Sequence, residues 1–151
     1  MERGVRSLEP KPEQTRIYRS RLIIGGPVQG ELVIVEPIAF WGGFDPQSGE
    51  VTETRHPQRG LVLSGKIVAT ENLRGPSSSG SPLAESLRLK TAPRALLLVK
   101  ENLIAVIAGI VGIRLYETEF TLGIIDPDAL VAIKSWGGVA IDEKGDLRAL
   151  S

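Results

Sequence analysis

The sequence predicts a mixed α/β fold, in which strands and helices form layers around a single core. Stretches typical of strands outnumber those typical of helices, and the helices come after a serine-rich loop and a short apolar strand. This order argues against a doubly wound sheet, in which strands and helices alternate regularly. With 151 residues, 42% of them hydrophobic and 24% charged, the chain has the size and composition of one globular domain.

Three strands are predicted in the first half of the chain. Residues 17–24 are rich in aliphatic side chains and end at a Gly-Gly-Pro stop. Residues 31–38 are apolar enough to be buried on both faces, and residues 61–69 form a third strand that an internal Ser-Gly pair interrupts. A loop rich in Gly, Pro and Asp, residues 40–49, lies between the last two strands.

A second polar loop, residues 71–81, precedes a predicted helix over residues 82–89. Ser81 can cap this helix, and Pro82 at the first helical position loses no hydrogen bond there. Residues 95–99 are predicted to form a short buried strand that runs parallel to its neighbours.

The apolar run over residues 103–113 is predicted to be a helix rather than a strand, because its small residues would form a face for close packing. These small residues are Ala105, Ala108, Gly109 and Gly112. Residues 114–125 include a further strand, in which Gly123 marks a bulge.

Turns and one hairpin are predicted for the C-terminal part. The Asp-Pro-Asp motif at residues 126–128 is interpreted as a turn. Residues 130–134 and 139–142 are predicted to pair as a hairpin across residues 135–138, and a last turn covers residues 143–146.

Composition and charge exclude several classes of function. The 18 Lys and Arg residues balance the 18 Asp and Glu residues, whereas a domain that binds nucleic acid normally has a basic excess. The longest apolar run is far shorter than the roughly 20 residues that a membrane-spanning helix needs. With no cysteine and one histidine, the chain alone cannot ligate an iron–sulfur cluster through thiolates or build a Cys/His zinc site. We therefore expect a cytoplasmic protein that binds neither nucleic acid nor a membrane.

Residues 1–16 are expected to form a flexible leader, ahead of a domain that spans residues 17–151. Pro10 and Pro12 oppose a helix in the leader, and no apolar stretch typical of a secretory signal follows its charges. An arm that lies on a partner chain is the alternative.

The serine-rich loop, residues 74–81, is a candidate anion site. It stands between a strand and a helix start, where free backbone N–H groups and the helix dipole favour a carboxylate or a phosphate. Arg74 could add a charged contact. The alternative is a flexible surface linker, which Ser/Gly tracts often form.

The first loop begins Phe-Trp-Gly-Gly-Phe-Asp-Pro, over residues 40–46. Its paired glycines permit positive φ angles and close approach of a ligand to the backbone, while a tight turn capped by packed aromatic residues is the alternative. His56 follows in an Arg-His-Pro segment and is interpreted as a hydrogen-bonded structural residue. The chain has no Walker loop and no GxGxxG, HExxH or GxSxG motif.

Together these segments resemble the small subunit of the aconitase X family, which corresponds to the swivelling domain of aconitases. The resemblance rests on the first loop with Gly49, on Arg55-His56-Pro57, on residues 65–68 and on the serine-rich loop, and it covers roughly residues 30–112. It implies a swivelling β/β/α domain of the aconitase type.

The resemblance also implies a partner, a cofactor and a reaction. The partner is a cysteine-bearing large subunit that holds an iron–sulfur cluster, expected to contain four irons, so that the site forms between two chains. In the archaeal branch, which a free-standing small chain favours, the implied reaction dehydrates the small phosphorylated hydroxy acid (R)-5-phosphomevalonate to trans-anhydromevalonate 5-phosphate, in isoprenoid biosynthesis. In the bacterial branch the substrate is cis-3-hydroxy-L-proline. A non-catalytic module that binds an anion is the third alternative.

Roles for single residues follow from the same resemblance. The family's proton acceptor is the first serine of the loop, which corresponds to Ser77. A serine can serve as a base only if N–H groups or a cation stabilise its alkoxide, and this loop could provide both. Because Pro76 stands where the family usually has a glycine, Ser78 and Ser79 are the alternatives. The residues expected to bind the substrate are Trp41, Gly42, Gly43, Arg74, Gly75, Ser78 and Ser79.

Overall fold

The computed structural model describes residues 16–74 and 80–150, and within these ranges seven strands close a barrel. In chain order the elements are β1 (Tyr18–Ile24), β2 (Val28–Ile34), β3 (Ile38–Ala39), the irregular turn α1 (Phe40–Gly43), β4 (Phe44–Asp45), β5 (Glu50–Val51), β6 (Ile67–Thr70), β7 (Leu73–Arg74), α2 (Gly80–Leu89), β8 (Ala95–Leu98), α3 (Leu103–Tyr116), β9 (Thr121–Ile125), α4 (Pro127–Ile133), β10 (Gly138–Ile141) and β11 (Asp146–Leu150). The predicted mixed α/β class is confirmed.

The barrel combines parallel and antiparallel strands in the order β1-β11-β10-β2-β6-β8-β9. β2, β6, β8 and β9 run parallel, and β1, β10 and β11 run antiparallel to their neighbours. The carboxyl ends of the parallel strands therefore meet at one edge of the barrel. The first loop follows β2 and the serine-rich loop follows β6, so both leave from this edge.

The buried apolar side chains form two clusters, where the sequence predicted a single core. The first cluster fills the barrel and includes Ile67 and Leu97, with Ile133 of α4 at one end. The second lies between the outer face of the sheet and helices α2 and α3, and it includes Val68 and Leu96. Successive residues of β6 and β8 thus enter different clusters, because a strand covered on both faces alternates its side chains between them.

Helix α3 confirms the prediction made from its small residues. Asn102 caps it by accepting a hydrogen bond from the N–H of Ala105 at 3.0 Å, and all four predicted small residues are buried. At Gly112 the contact with α2 is close, since a Cβ there would lie 2.6 Å from Cδ1 of Leu87. The glycine is therefore what allows the two helices to approach so near.

The predicted strands of the first half are present with different ends. The second strand stops at Ile34, and Ile38 belongs to β3, because Pro37 between them has no N–H to donate to a sheet. The third starts only at Ile67, after a turn in which Gly65 has φ +72°. Helix α2 begins at Gly80, so Ser81 lies inside the helix and not at its cap.

The C-terminal prediction was partly wrong. The Asp-Pro-Asp motif begins helix α4, with Asp126 at the N-cap position, Pro127 in the first turn and Asp128 placed to interact with the helix dipole. Residues 130–133 are consequently helical, and the predicted hairpin across residues 135–138 does not exist. β10 instead pairs with β11 across the turn predicted last.

The strand predicted within residues 114–125 is confirmed as β9, which starts at Thr121 after residues 114–116 close helix α3. Gly123 itself is not the bulged residue. The bulge lies in β1, between Leu22 and Ile24, opposite Gly123.

Two further expectations concern the N-terminal leader and a membrane-spanning helix. Apart from Arg16, the predicted leader lies outside the described residues. No helix within residues 16–74 and 80–150 is long and apolar enough to cross a membrane.

Candidate functional site

The two candidate loops begin side by side. β3 pairs in parallel with β7, and the register places Ile38 opposite Leu73 and Ala39 opposite Arg74. Ala39 leads directly into α1, and Arg74 leads directly into the serine-rich loop. The two loops therefore start from neighbouring positions at the carboxyl edge of the parallel strands, which is where α/β sheets commonly bind ligands.

The turn α1, with the sequence Phe-Trp-Gly-Gly, presents an exposed tryptophan on a fixed base. Phe40 is buried and packs edge-on against Phe44, with ring centroids 4.8 Å apart. Trp41 is 57% exposed. Gly42 has φ +83°, a backbone conformation that residues with a side chain rarely adopt. The alternative predicted from the sequence, a turn capped by packed aromatic residues, is thus present, and these residues hold Trp41 at the surface.

A cleft of about 630 Å³ opens beside α1. Its lining consists of Phe40, Trp41, Gly42, Phe44, Pro46, Pro82 and Glu85. Pro82 and Glu85 belong to the first part of α2, so the cleft connects α1 with the helix that follows the serine-rich loop. The hydrogen bond from Arg88 holds the pKa of the Glu85 carboxyl below its usual value.

A larger cleft, of about 810 Å³, lies at the opposite edge of the barrel. Gly65, Pro93 and Glu119 line it near the amino ends of the parallel strands. None of the described residues predicted for the site lines this cleft, so its size alone does not make it the candidate site.

Arg74 is engaged by other residues of the chain. Its Nε and Nη2 donate to the carbonyl oxygen of Pro37 at 3.2 and 3.1 Å, and Nη2 also donates to Oε2 of Glu53 at 2.5 Å. The sequence predicted that Arg74 contacts an anionic ligand directly. In this structure its charge is paired with the Glu53 carboxylate, and the contact with a ligand stays a prediction.

Glu53 is a residue that the sequence did not single out. It lies between the two loops: it accepts from Arg74 on one side, and on the other a Cβ on Gly43 would be 3.2 Å from its Oε1. The hydrogen bond from the N–H of Thr52 to the carbonyl oxygen of Gly43, 3.0 Å long, holds the same segment against α1. No local motif marks a residue whose partners are distant in sequence.

His56 agrees with its structural interpretation. It is 6% exposed, its Nε2 lies 2.8 Å from the carbonyl oxygen of Glu36, and the N–H of Gln58 donates to its Nδ1 at 3.0 Å. Since Nδ1 accepts, the proton is carried by Nε2, which donates to Glu36. Both ring nitrogens are satisfied, and His56 does not line the cleft.

The remaining predicted site residues, Gly75, Ser77, Ser78 and Ser79, lie outside the described residues. Their roles stay predictions, although Arg74 and the start of α2 fix where the loop begins and ends. An iron–sulfur cluster does not fit the residues of this chain. The sequence has no cysteine, and the parts of the chain that the structure describes contain no group of three or more His, Asp or Glu residues that could hold a metal.

The mixed barrel, with a glycine-rich turn at the carboxyl edge of its parallel strands, is the architecture of a swivel domain. The family model for the aconitase X swivel domain matches residues 17–148, and the chain belongs to that family.

Two solved structures share the fold. The crystal structure of Thermococcus kodakaraensis aconitase X in its holo form is 23% identical, covers 90% of this chain and 99% of that chain, and has a TM-score of 0.72. The solution NMR structure of a UPF0107 protein is also 23% identical, covers 90% of this chain and 100% of that chain, and has a TM-score of 0.73.

Curated relatives carry two names. The phosphomevalonate dehydratase small subunit of Thermococcus gammatolerans is 37% identical over 98 residues, which is 61% of this chain and 74% of that protein. Its counterpart from Aeropyrum pernix is 39% identical over 103 residues, 66% of this chain and 72% of that protein. The cis-3-hydroxy-L-proline dehydratase of Pseudomonas aeruginosa is 35% identical over 97 residues, which is 64% of this chain but only 17% of that protein.

Proposed function

We propose that this chain is the small subunit of a hydro-lyase that dehydrates (R)-5-phosphomevalonate to trans-anhydromevalonate 5-phosphate. The observation that carries the proposal is the parallel pairing of β3 with β7, which starts the two family loops side by side. The similarity to phosphomevalonate dehydratase small subunits over most of their length supports this substrate.

The proposed enzyme is a complex of two different chains. A cysteine-bearing large subunit contributes the iron–sulfur cluster, for which this chain has no thiolate ligands. The relatives' name "small subunit" supports such a partner. We expect the complex to act in the cytoplasm and to be inactive when either chain is missing.

In this proposal Ser77 supplies the base. Its oxygen accepts the proton from the carbon next to the substrate carboxylate, the electrons of that C–H bond form the double bond, and hydroxide leaves from the adjacent carbon. The serine-rich loop ends at the N-terminus of α2, a helix of 10 residues, whose dipole and free N–H groups favour a negative charge. Gly75, Ser78 and Ser79 contact the substrate from the same loop, while Trp41, Gly42 and Gly43 form the opposite wall.

Reconstitution tests the proposal. The chain is co-expressed with a cysteine-bearing large subunit of the family, and water loss from phosphomevalonate is measured without oxygen. We expect turnover by the pair and none by either subunit alone. Failure of the pair to dehydrate any hydroxy acid would contradict the proposal.

A second substrate is favoured by one observation, the similarity to the Pseudomonas cis-3-hydroxy-L-proline dehydratase. The two substrates differ in the phosphate and in the ring amine, so the ratio of their kcat/KM values in the same complex decides between them. The non-catalytic alternative predicts something else: tight binding of an anion such as inorganic phosphate by the isolated chain, with no partner recovered from the cell.

A further inference from the structure

The side chains of Glu53 and Arg74 connect three segments around the candidate site. Arg74 is the first residue of the serine-rich loop, and it donates to both Pro37 and Glu53. Glu53 in turn packs against Gly43, the last residue of α1. The pair therefore ties the start of the serine-rich loop to the backbone before α1 and to the end of α1.

The exposure of the two side chains argues against a role in stability alone. Arg74 is 53% exposed and Glu53 is 24% exposed. Ion pairs that water reaches contribute little to folding. The arrangement nevertheless has defined geometry, because the guanidinium nitrogens Nε and Nη2 both donate to the Pro37 carbonyl and Nη2 also donates to the Glu53 carboxylate. Such a geometry fixes direction as well as distance.

We infer that Glu53 and Arg74 are positioning residues for the proposed dehydration: the pair holds the start of the serine-rich loop at a fixed place beside α1. The inference rests on the proposed function and changes the role predicted for Arg74 from the sequence. An anion that bound Arg74 would meet a guanidinium whose charge Glu53 already offsets and whose Nε and Nη2 already donate to Pro37 and Glu53. As a positioning residue, Arg74 acts on the reaction through the loop.

The two roles predict different kinetics. If the pair positions the loop, Glu53→Gln and Arg74→Gln each lower kcat by about 10- to 100-fold, since small misplacements of catalytic groups have effects of this size. The KM for the substrate then stays within about twofold, and the double variant is no worse than either single one, because both remove the same interaction. If Arg74 binds the substrate, Arg74→Gln raises KM, whereas Glu53→Gln frees the guanidinium and lowers KM. The second pattern would overturn the inference.

The experiment uses the complex with its large subunit and a matched control. Lys100→Gln breaks another exposed ion pair, with Glu71 at 3.6 Å, and should change neither kcat nor KM. A second readout does not depend on activity: amide hydrogen exchange of the peptide covering residues 73–82 in the isolated chain. We expect faster exchange in Arg74→Gln and Glu53→Gln than in the wild type and in Lys100→Gln. Equal exchange in all four proteins would overturn the inference even if no substrate is turned over, so its failure and that of the proposed function can be told apart.

Discussion

Gly43 packs directly against Glu53: a Cβ on this glycine would lie 3.2 Å from both the Cβ and the Oε1 of the glutamate. The neighbouring Gly42 is in the opposite situation, since nothing would lie within 4 Å of its Cβ but its φ is +83°. The two glycines of the turn are therefore required for different reasons, one for space and one for backbone conformation.

Alanine at each position separates these reasons. Gly43→Ala should displace Glu53 and lower kcat of the complex by about tenfold, because it shifts the side chain whose Oε2 pairs with Arg74. Gly42→Ala should lower the free energy of unfolding by about 1–2 kcal/mol through its left-handed backbone. Chemical unfolding and steady-state kinetics of both variants check this. A Gly43→Ala complex with the kcat of the wild type would contradict the role given to Glu53.

Close packing between α2 and α3 gives a prediction about stability. In Gly112→Ala the new methyl group would lie 2.6 Å from Cδ1 and 2.9 Å from Cβ of Leu87, so the helices must move apart. We expect a loss of about 1–3 kcal/mol from overpacking, which the better helix propensity of alanine offsets only in part. Gly137→Ala is the matched control, since nothing lies within 4 Å of the added atom. Urea unfolding that finds Gly112→Ala as stable as this control would show the packing account to be wrong.

His56 should matter for folding and not for chemistry. His56→Ala removes the partners of the Glu36 carbonyl and of the Gln58 N–H, at a cost of about 1–3 kcal/mol in the free energy of unfolding. Because His56 does not line the cleft, the folded complex should keep its kcat. A folded His56→Ala complex that has lost activity would assign the histidine a part in the reaction.

The carboxyl of Asp142 should make the free energy of unfolding depend on pH. The N–H groups of Asp146 and Lys144 donate to its carboxylate at 3.0 and 2.9 Å, and Arg148 adds a favourable charge. These contacts lower the pKa of Asp142, the bond from Asp146 most strongly. The folded state then holds the proton less well than the unfolded state does. The resulting stability is present above the unfolded pKa of about 3.9 and is lost as the pH falls through the lower folded pKa.

Asp142→Asn removes this titration. Its free energy of unfolding should be lower than that of the wild type at neutral pH and should fall less steeply as the solution is acidified. Unfolding measured at a series of pH values compares the two proteins. Parallel curves would mean that the turn between β10 and β11 does not use the charge of Asp142.

The sequence revealed most of the elements because their signals are local. Small residues at helical spacing identified α3, and the short apolar run identified β8 as a parallel strand. Helix α4 was missed although its signal was also local: Pro127 after an acidic residue is a typical helix start, and it was interpreted as a turn.

The site was only half visible from the sequence. The two loops stood out by composition, but their proximity depends on β3 and β7, which have two residues each and no pattern that predicts pairing. No sequence pattern marked Glu53 as a site residue, because its role depends on contacts with Arg74 and Gly43, which lie in other segments.

In the proposed enzyme this chain contributes a serine base to a site that another subunit completes. The most direct measurement is kcat for phosphomevalonate dehydration by the complex with Ser77→Ala, compared with Ser78→Ala, Ser79→Ala and the exposed control Ser135→Ala. We expect Ser77→Ala to lose at least about 100-fold in kcat, as removal of a general base does, and Ser135→Ala to match the wild type. Full activity in Ser77→Ala would contradict it.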